Sequence, residues 1–309
     1  MDNGWLLIAV RFALYVTLSG LFGLSAFSLY GLKAGERDDA LALRPWLVGS
    51  GLLALLFSGI ALALLAAAMA GAPPWPVDQE AIGMLLSGSA TGTAWEARVA
   101  ALAVASIAAL VAAGRAALLG LVAFAAALAL ATLAWTGHGA MDEGAVGWVH
   151  LGADIFHLLA GGAWAGALLG LVLLVARPVG RVDATHLTLT HRALQGFGLV
   201  GTILVGTIVV TGVVNAWLLV GLANLPDLTT TRYGQLLIAK LALFGAMLAL
   251  ASFNRFGLTP AFERSITAVD HHDALRALRR SLAVEASCAV AILALVAWLG
   301  TLEPPASAM

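Results

Sequence analysis

The chain is short of charge, of cysteine and of basic residues at its start, and each shortage excludes something. Charged residues make up 11% of the 309 positions and hydrophobic residues 61%, against roughly a quarter charged in an ordinary soluble domain. A soluble globular protein is excluded, and the composition is that of a polytopic membrane protein whose first partner is the lipid bilayer. The formal net charge of −1 offers no basic surplus, so no nucleic-acid partner is expected. The single cysteine, Cys288, permits no intrachain disulfide and leaves the redox compartment open. Met1, Asp2, Asn3 and Gly4 supply no basic leader, and Arg11 interrupts the first apolar run. A cleaved signal peptide is therefore not expected.

Long apolar runs are abundant instead. A bilayer core is spanned by about 20 helical residues, and about eight runs of that length can be placed, at 5–32, 45–70, 95–113, 117–135, 145–175, 196–220, 233–254 and 281–301. Residues 77–93, dense in Gly, Ser and Thr, read as an outer loop or a re-entrant turn. Residues 255–280 read as an inner polar loop with a short surface helix. The expected fold class is all-α, one transmembrane helix bundle over residues 1–309. Lys33, Arg37 and Arg44, then Arg115, then Arg177, Arg181 and Arg192, then Arg255, Arg264, Arg276, Arg279 and Arg280 crowd alternate loops. Because basic loops stay inside, both termini are expected on the outer side.

The ionisable residues inside these runs are few, and such residues usually mark function. His150, Asp154 and His157 stand at i, i+4 and i+7 on one helix face, with Gly161 and Trp164 continuing the stripe. Two imidazoles and a carboxylate so placed can ligate a transition metal or relay protons. His138, in a Gly137-His138-Gly139 turn, is positioned to close such a site from the neighbouring helix end, and Met69, Met84 and Met141 add thioethers on the same side. Arg11, Arg98 and Lys240 read as counter-charges for Glu96 and Asp154, whether at a site or in plain structural ion pairs. Asn215 belongs to the outer part of the sixth run. Nearly all the buried polar residues thus gather in the outer half, Glu285 being the exception, within reach of Asn254 or Arg255. His186, His191, His271 and His272 read as surface residues, Trp5, Trp75, Trp95, Trp135 and Trp148 as interfacial anchors, and Gly162, Gly166 and Gly170 as a close-packing stripe.

The run from His150 through Asp154, His157 and Trp164 to Gly166 resembles the signature helix of the copper resistance protein D family (CopD), the inner-membrane partner of the periplasmic copper-binding protein CopC. Thr211-Gly-Val-Val-Asn215-Ala, Tyr233-Gly234 followed by Lys240, Asn254-Arg255-Phe, and Ser281 to Glu285 closing on Leu299-Gly300-Thr301 with Pro304 also resemble it. The resemblance covers roughly the latter half, while Arg11, Arg98 and the Gly137-His138-Gly139 turn fit more loosely. It implies an eight-helix bacterial inner-membrane protein that moves copper from periplasm toward cytoplasm, with His138, His150, Asp154, His157, Trp164, Asn215, Lys240 and Glu285 as functional residues. One departure is Ala167, where a second glycine is expected after Gly166. A copper ion is the implied metal, and a separate CopC-like protein the implied donor. Small-residue faces also allow a homo-oligomer. No constellation of nucleophile, base and oxyanion donors is present, so an enzyme is not expected. The alternatives are a b-type haem cytochrome using His138 and His157 across two helices, and a proton-coupled transporter using Asp154, Glu96 and Lys240 without bound metal.

Overall fold

A computed structural model of the chain describes residues 4–112, 114–137, 144–178, 182–267 and 272–308. Eight helices among them are long and apolar enough to cross a membrane. In chain order they are α1 (Gly4–Gly31), α3 (Leu43–Ala70), α5 (Ala90–Val111), α6 (Ala116–Ala131, prolonged by a 3-10 turn Thr132–Thr136), α7 (Gly144–Val175), α8 (Ala184–Leu219), α9 (Arg232–Phe253) and α11 (His272–Leu299). Shorter helices lie between them: α2 (Arg37–Leu41), α4 (Gln79–Gly88) and α10 (Thr259–Thr267). No strand occurs among the described residues.

Packing divides the spans into two groups. Helices α1, α3, α5 and α6 form a ring, each packed on its two neighbours. Helix α7 lies against α1 and α6 and joins the ring to a second group of α8, α9 and α11, in which α8 packs on α7 and α9 pairs with α11. Between membrane helices, where lipid removes the hydrophobic drive to associate, close approach depends on small residues. A Cβ built on Gly166 would lie 2.3 Å from the Cα of Gly23, and one on Gly23 would lie 2.3 Å from the carbonyl oxygen of Gly162. The α1–α7 seam therefore admits only glycine at these points. Gly170 makes room in the same way for the Phe27 ring. Trp5 stacks on Trp298 with ring centroids 5.4 Å apart, so the start of α1 and the end of α11 share one end of the bundle, called the termini end below.

Arginines fasten the opposite end. Arg37 donates to the carbonyls of Ser28, Leu29 and Gly114, and Arg279 to those of Val175 and Arg177. The final carbonyls of α1 and α7 have no partner within their own helix and carry the negative end of its dipole. Residues that look like mere orientation signals in the sequence are also helix caps.

Two stretches differ from expectation. Residues 77–93 hold a true helix, α4, because the Asp78 carboxylate accepts from the amides of Glu80 and Ala81 and caps it, while Ser89 accepts from Gly92 and starts α5 at once. The polar ends of the sixth and eighth spans are helical too. Asp183 caps α8 at its first turn, and α11 begins at His272, so the described part of the expected inner loop before it is a π-turn (Asn254–Leu258) and α10.

Candidate functional site

The polar face of α7 meets α8 and α9 at the termini end. His150 is 1% exposed, and it lines a cavity of about 130 Å³ together with Asp154, His157, Asn215, Lys240 and Arg11. Helix α8 answers α7 residue for residue: Thr211 and Asn215, one helical turn apart, meet His157 and Asp154. Asn215 Nδ2 lies 3.5 Å from Asp154 Oδ1, and its own Oδ1 is buried without a hydrogen-bond partner among the described residues. Gly212 fits the imidazole, since a Cβ there would stand 3.3 Å from His157 Cε1. Gly137, at the end of the α6 span, lies beside Asp154, where a Cβ would be 3.8 Å from Oδ2.

The tautomer of His157 follows from its neighbours. The Thr211 hydroxyl has one proton, which it gives to the Thr207 carbonyl at 2.6 Å. It must therefore accept from His157 Nδ1, 2.9 Å away. Neutral imidazole has a single N–H, so Nε2 keeps its lone pair, and the Ile208 carbonyl, a further partner of the ring, can only share the Nδ1 proton. His157 thus offers a bare nitrogen where the first cavity meets the second, since it lines both.

The second cavity, of about 340 Å³, runs on between α7, α8, α9 and α11, with Lys240 shared from the first and Trp164, Phe244 and Met247 as apolar wall. Trp164 also lines a third cavity, of about 300 Å³, with Asn254, Arg255 and Glu285. There Glu285, 1% exposed, accepts from Asn254 Nδ2 at 2.8 Å and from Trp164 Nε1 at 3.4 Å. Three cavities that share lining residues thus lie in sequence between the polar face of α7 and the glutamate near the other end.

Several expected participants stand elsewhere. Glu96 is exposed and Arg98 buried, as two residues about 160° apart around the helix must be when only one face of α5 turns inward. Glu96 pairs with neither arginine. Arg98 donates to the hydroxyl and carbonyl of Thr132, at 2.8 and 3.2 Å, and Arg11 to the carbonyl of Thr136 at 3.1 Å. Lys240 and Asp154 are within electrostatic reach but form no direct ion pair. Met84 is 58% exposed because α4 turns Ala81 and Leu85 into its contact with α3 and α5. His138, Met141 and His271 lie outside the described residues. Among the described residues no three His, Cys, Asp or Glu side chains converge to hold a metal ion. Sequence reading overlooked Thr211 as a partner of His157; its one-turn spacing from Asn215 was the available signal.

Fold and cavities define the class as a multi-pass helical membrane protein with a polar chamber at one end. Residues 1–148 match the model of the copper resistance protein D-like N-terminal domain, and residues 191–299 that of copper resistance protein D. The chain is 44% identical over 301 residues, 96% of each chain, to copper resistance protein D of Pseudomonas syringae pv. tomato. It is 27% identical over 172 residues, 56% of this chain and 55% of the relative, to inner membrane protein YebZ of Escherichia coli (strain K12). The chain belongs to the copper resistance protein D family. No solved structure matches. The family match reaches the first four spans, further than the resemblance visible in motifs. The polar face of α7, in contrast, falls between the two matched stretches, whereas Asn215, Lys240 and Glu285 fall within the second.

Proposed function

We propose that this protein is a copper carrier of the bacterial inner membrane rather than an enzyme, taking copper at the termini end, which faces the periplasm, and passing it toward the cytoplasm. The observation that supports this most is His157: its Nδ1 is committed to Thr211, and its Nε2 is bare at the junction of two cavities. An imidazole held by a hydrogen bond through one nitrogen presents the other as a metal ligand. His150 and Asp154 share the first cavity with it, and the unpartnered Asn215 Oδ1 adds an oxygen. Such an open set, short of a closed coordination shell, suits a cargo that must leave again. A relative named for copper resistance supports copper as that cargo. A separate periplasmic copper-binding protein of the CopC kind is the donor in this reading.

The inner half of the route is a series of cavities and not a ladder of ligands. Beyond His157 and Lys240 the walls are apolar until the group of Glu285 and Asn254 near the end of α9. The test is copper entry into proteoliposomes carrying a trapped copper-sensitive dye. Wild-type protein should fill the vesicles faster than protein-free lipid, and His157→Ala should not. Equal rates with wild-type protein and with lipid alone would refute transport.

A further inference from the structure

A cavity outside this route has a chemistry of its own. It measures about 250 Å³, lies within the ring of α1, α3, α5 and the end of α6, and is lined by Arg11, Arg98, Tyr15 and Thr91 among apolar side chains. Both guanidiniums are cations, and among the described residues both hydrogen-bond only to neutral groups, although Asp154 lies within electrostatic reach of Arg11. Arg98, 1% exposed, bonds to Thr132 alone. Arg11 bonds to the Thr136 carbonyl, and its Nε is buried without a partner. No carboxylate pairs with either among the described residues, and Glu96, close to Arg98 in sequence, is exposed. Thr91 gives its hydroxyl proton to the Trp135 carbonyl, whereas the Tyr15 hydroxyl makes no hydrogen bond among the described residues.

Keeping two such cations in one protein-lined space is costly when no carboxylate bonds to either. Their unused N–H groups, with the O–H of Tyr15, form a donor-rich wall. The apolar remainder favours an anion that gives up water readily. We infer that this cavity binds a small, weakly hydrated inorganic anion, of which chloride is the common example, between Arg11 and Arg98. The site is fixed by the four-helix ring and does not depend on copper. Arg11 also lines the chamber that holds Asp154, so the anion sits beside the α7 face and offsets the positive potential that Arg11, Arg98 and Lys240 present to an entering metal cation. That last consequence rests on the copper reading; the anion site itself does not.

The test uses purified full-length protein without copper. Thermal unfolding is followed in gluconate buffer as chloride or bromide replaces gluconate at constant ionic strength. A ligand that binds only the folded state raises the midpoint with the logarithm of its concentration once above its dissociation constant. The midpoint of wild-type protein should rise in this saturable way with chloride and bromide, and Arg11→Gln should abolish the dependence. Arg11 is half-buried, so this variant is less prone to misfold than Arg98→Gln. A wild-type midpoint indifferent to chloride, or an equal response in Arg11→Gln, would overturn the site, the latter by revealing a general salt effect.

Discussion

The ring of α1, α3, α5 and α6 with its seam to α7 differs from the trio α8, α9 and α11 in how it is held. Of the most apolar stretch of each span, 56% is buried in α7 and 50% in the α6 span, but 11% in α8 and 6% in the α9 span. The first group meets through glycines that leave no room for a methyl group. The second stands apart from itself around two cavities, and α8 and α9 scarcely touch. Histidines and Asp154 sit on α7, at the border, while Asn215 and Lys240 face them from the loosely held side. The difference teaches how a cargo site can be both fixed and opened: ligands on the rigid helix, and second-wall residues on helices whose few contacts let them move.

Four experiments probe that contrast, in order of expected effect. Gly166→Leu drives a side chain into the Gly23 backbone, and overpacking of this kind costs roughly 1–3 kcal/mol or more; thermal unfolding in detergent should show a large loss or no folded protein. Gly206→Leu, on α8 with nothing within 4 Å, should stay within about 0.5 kcal/mol of wild type. Equal damage from both would erase the distinction between the two groups.

Thr211→Val removes the acceptor that fixes the His157 tautomer. Partners of this sort are worth roughly ten- to a hundredfold in metal affinity, so copper titration should weaken by about tenfold while thermal stability changes little. An unchanged affinity would show that α8 takes no part in holding the imidazole. Arg279→Ala uncaps the rigid α7 and should cost about 1–2 kcal/mol in the same unfolding assay, more than Arg255→Ala, whose bonds to Gly198 and Thr202 are exposed.

The smallest effect is on Glu36, outside the spans. Partial burial works to raise its carboxyl, but hydrogen bonds from Arg192 and the Lys33 amide, together with their charges, prevail and hold it below the ordinary 4.5. A carboxyl depressed by folding stabilises fully above its unfolded value and loses that contribution as pH falls through its folded value. Wild type should therefore lose up to about 1 kcal/mol more than Glu36→Gln on acidification below pH 4.5, the pair being partly exposed. Parallel curves would remove the Arg192–Glu36 tie between the two groups.

Much of this architecture was legible in the sequence. Apolar run length located all eight spans, since a bilayer dictates length whatever the tertiary contacts. The i, i+4, i+7 spacing put His150, Asp154 and His157 on one face, and their cavity lies there. Local capping was undervalued: Asp78 and Ser89 turn a Gly- and Ser-rich stretch into α4 and the start of α5. The proposed pairings of Arg11 with Glu96 and of Lys240 with Asp154 failed because depth along a helix does not give direction around it. Glu96 points out, and Lys240 remains across the cavity from Asp154. The connected cavities arise from where α8 and α9 do not pack, which no residue pattern encodes.

The central claim is that the α7 face carries copper. It is tested most directly by elemental mass spectrometry of copper bound per chain, after purified protein is loaded with copper and excess metal is removed, in wild type, in His150→Ala/His157→Ala and in Met84→Ala. The account predicts near-stoichiometric copper in wild type and Met84→Ala, and little in the double variant. Equal retention in all three would contradict it.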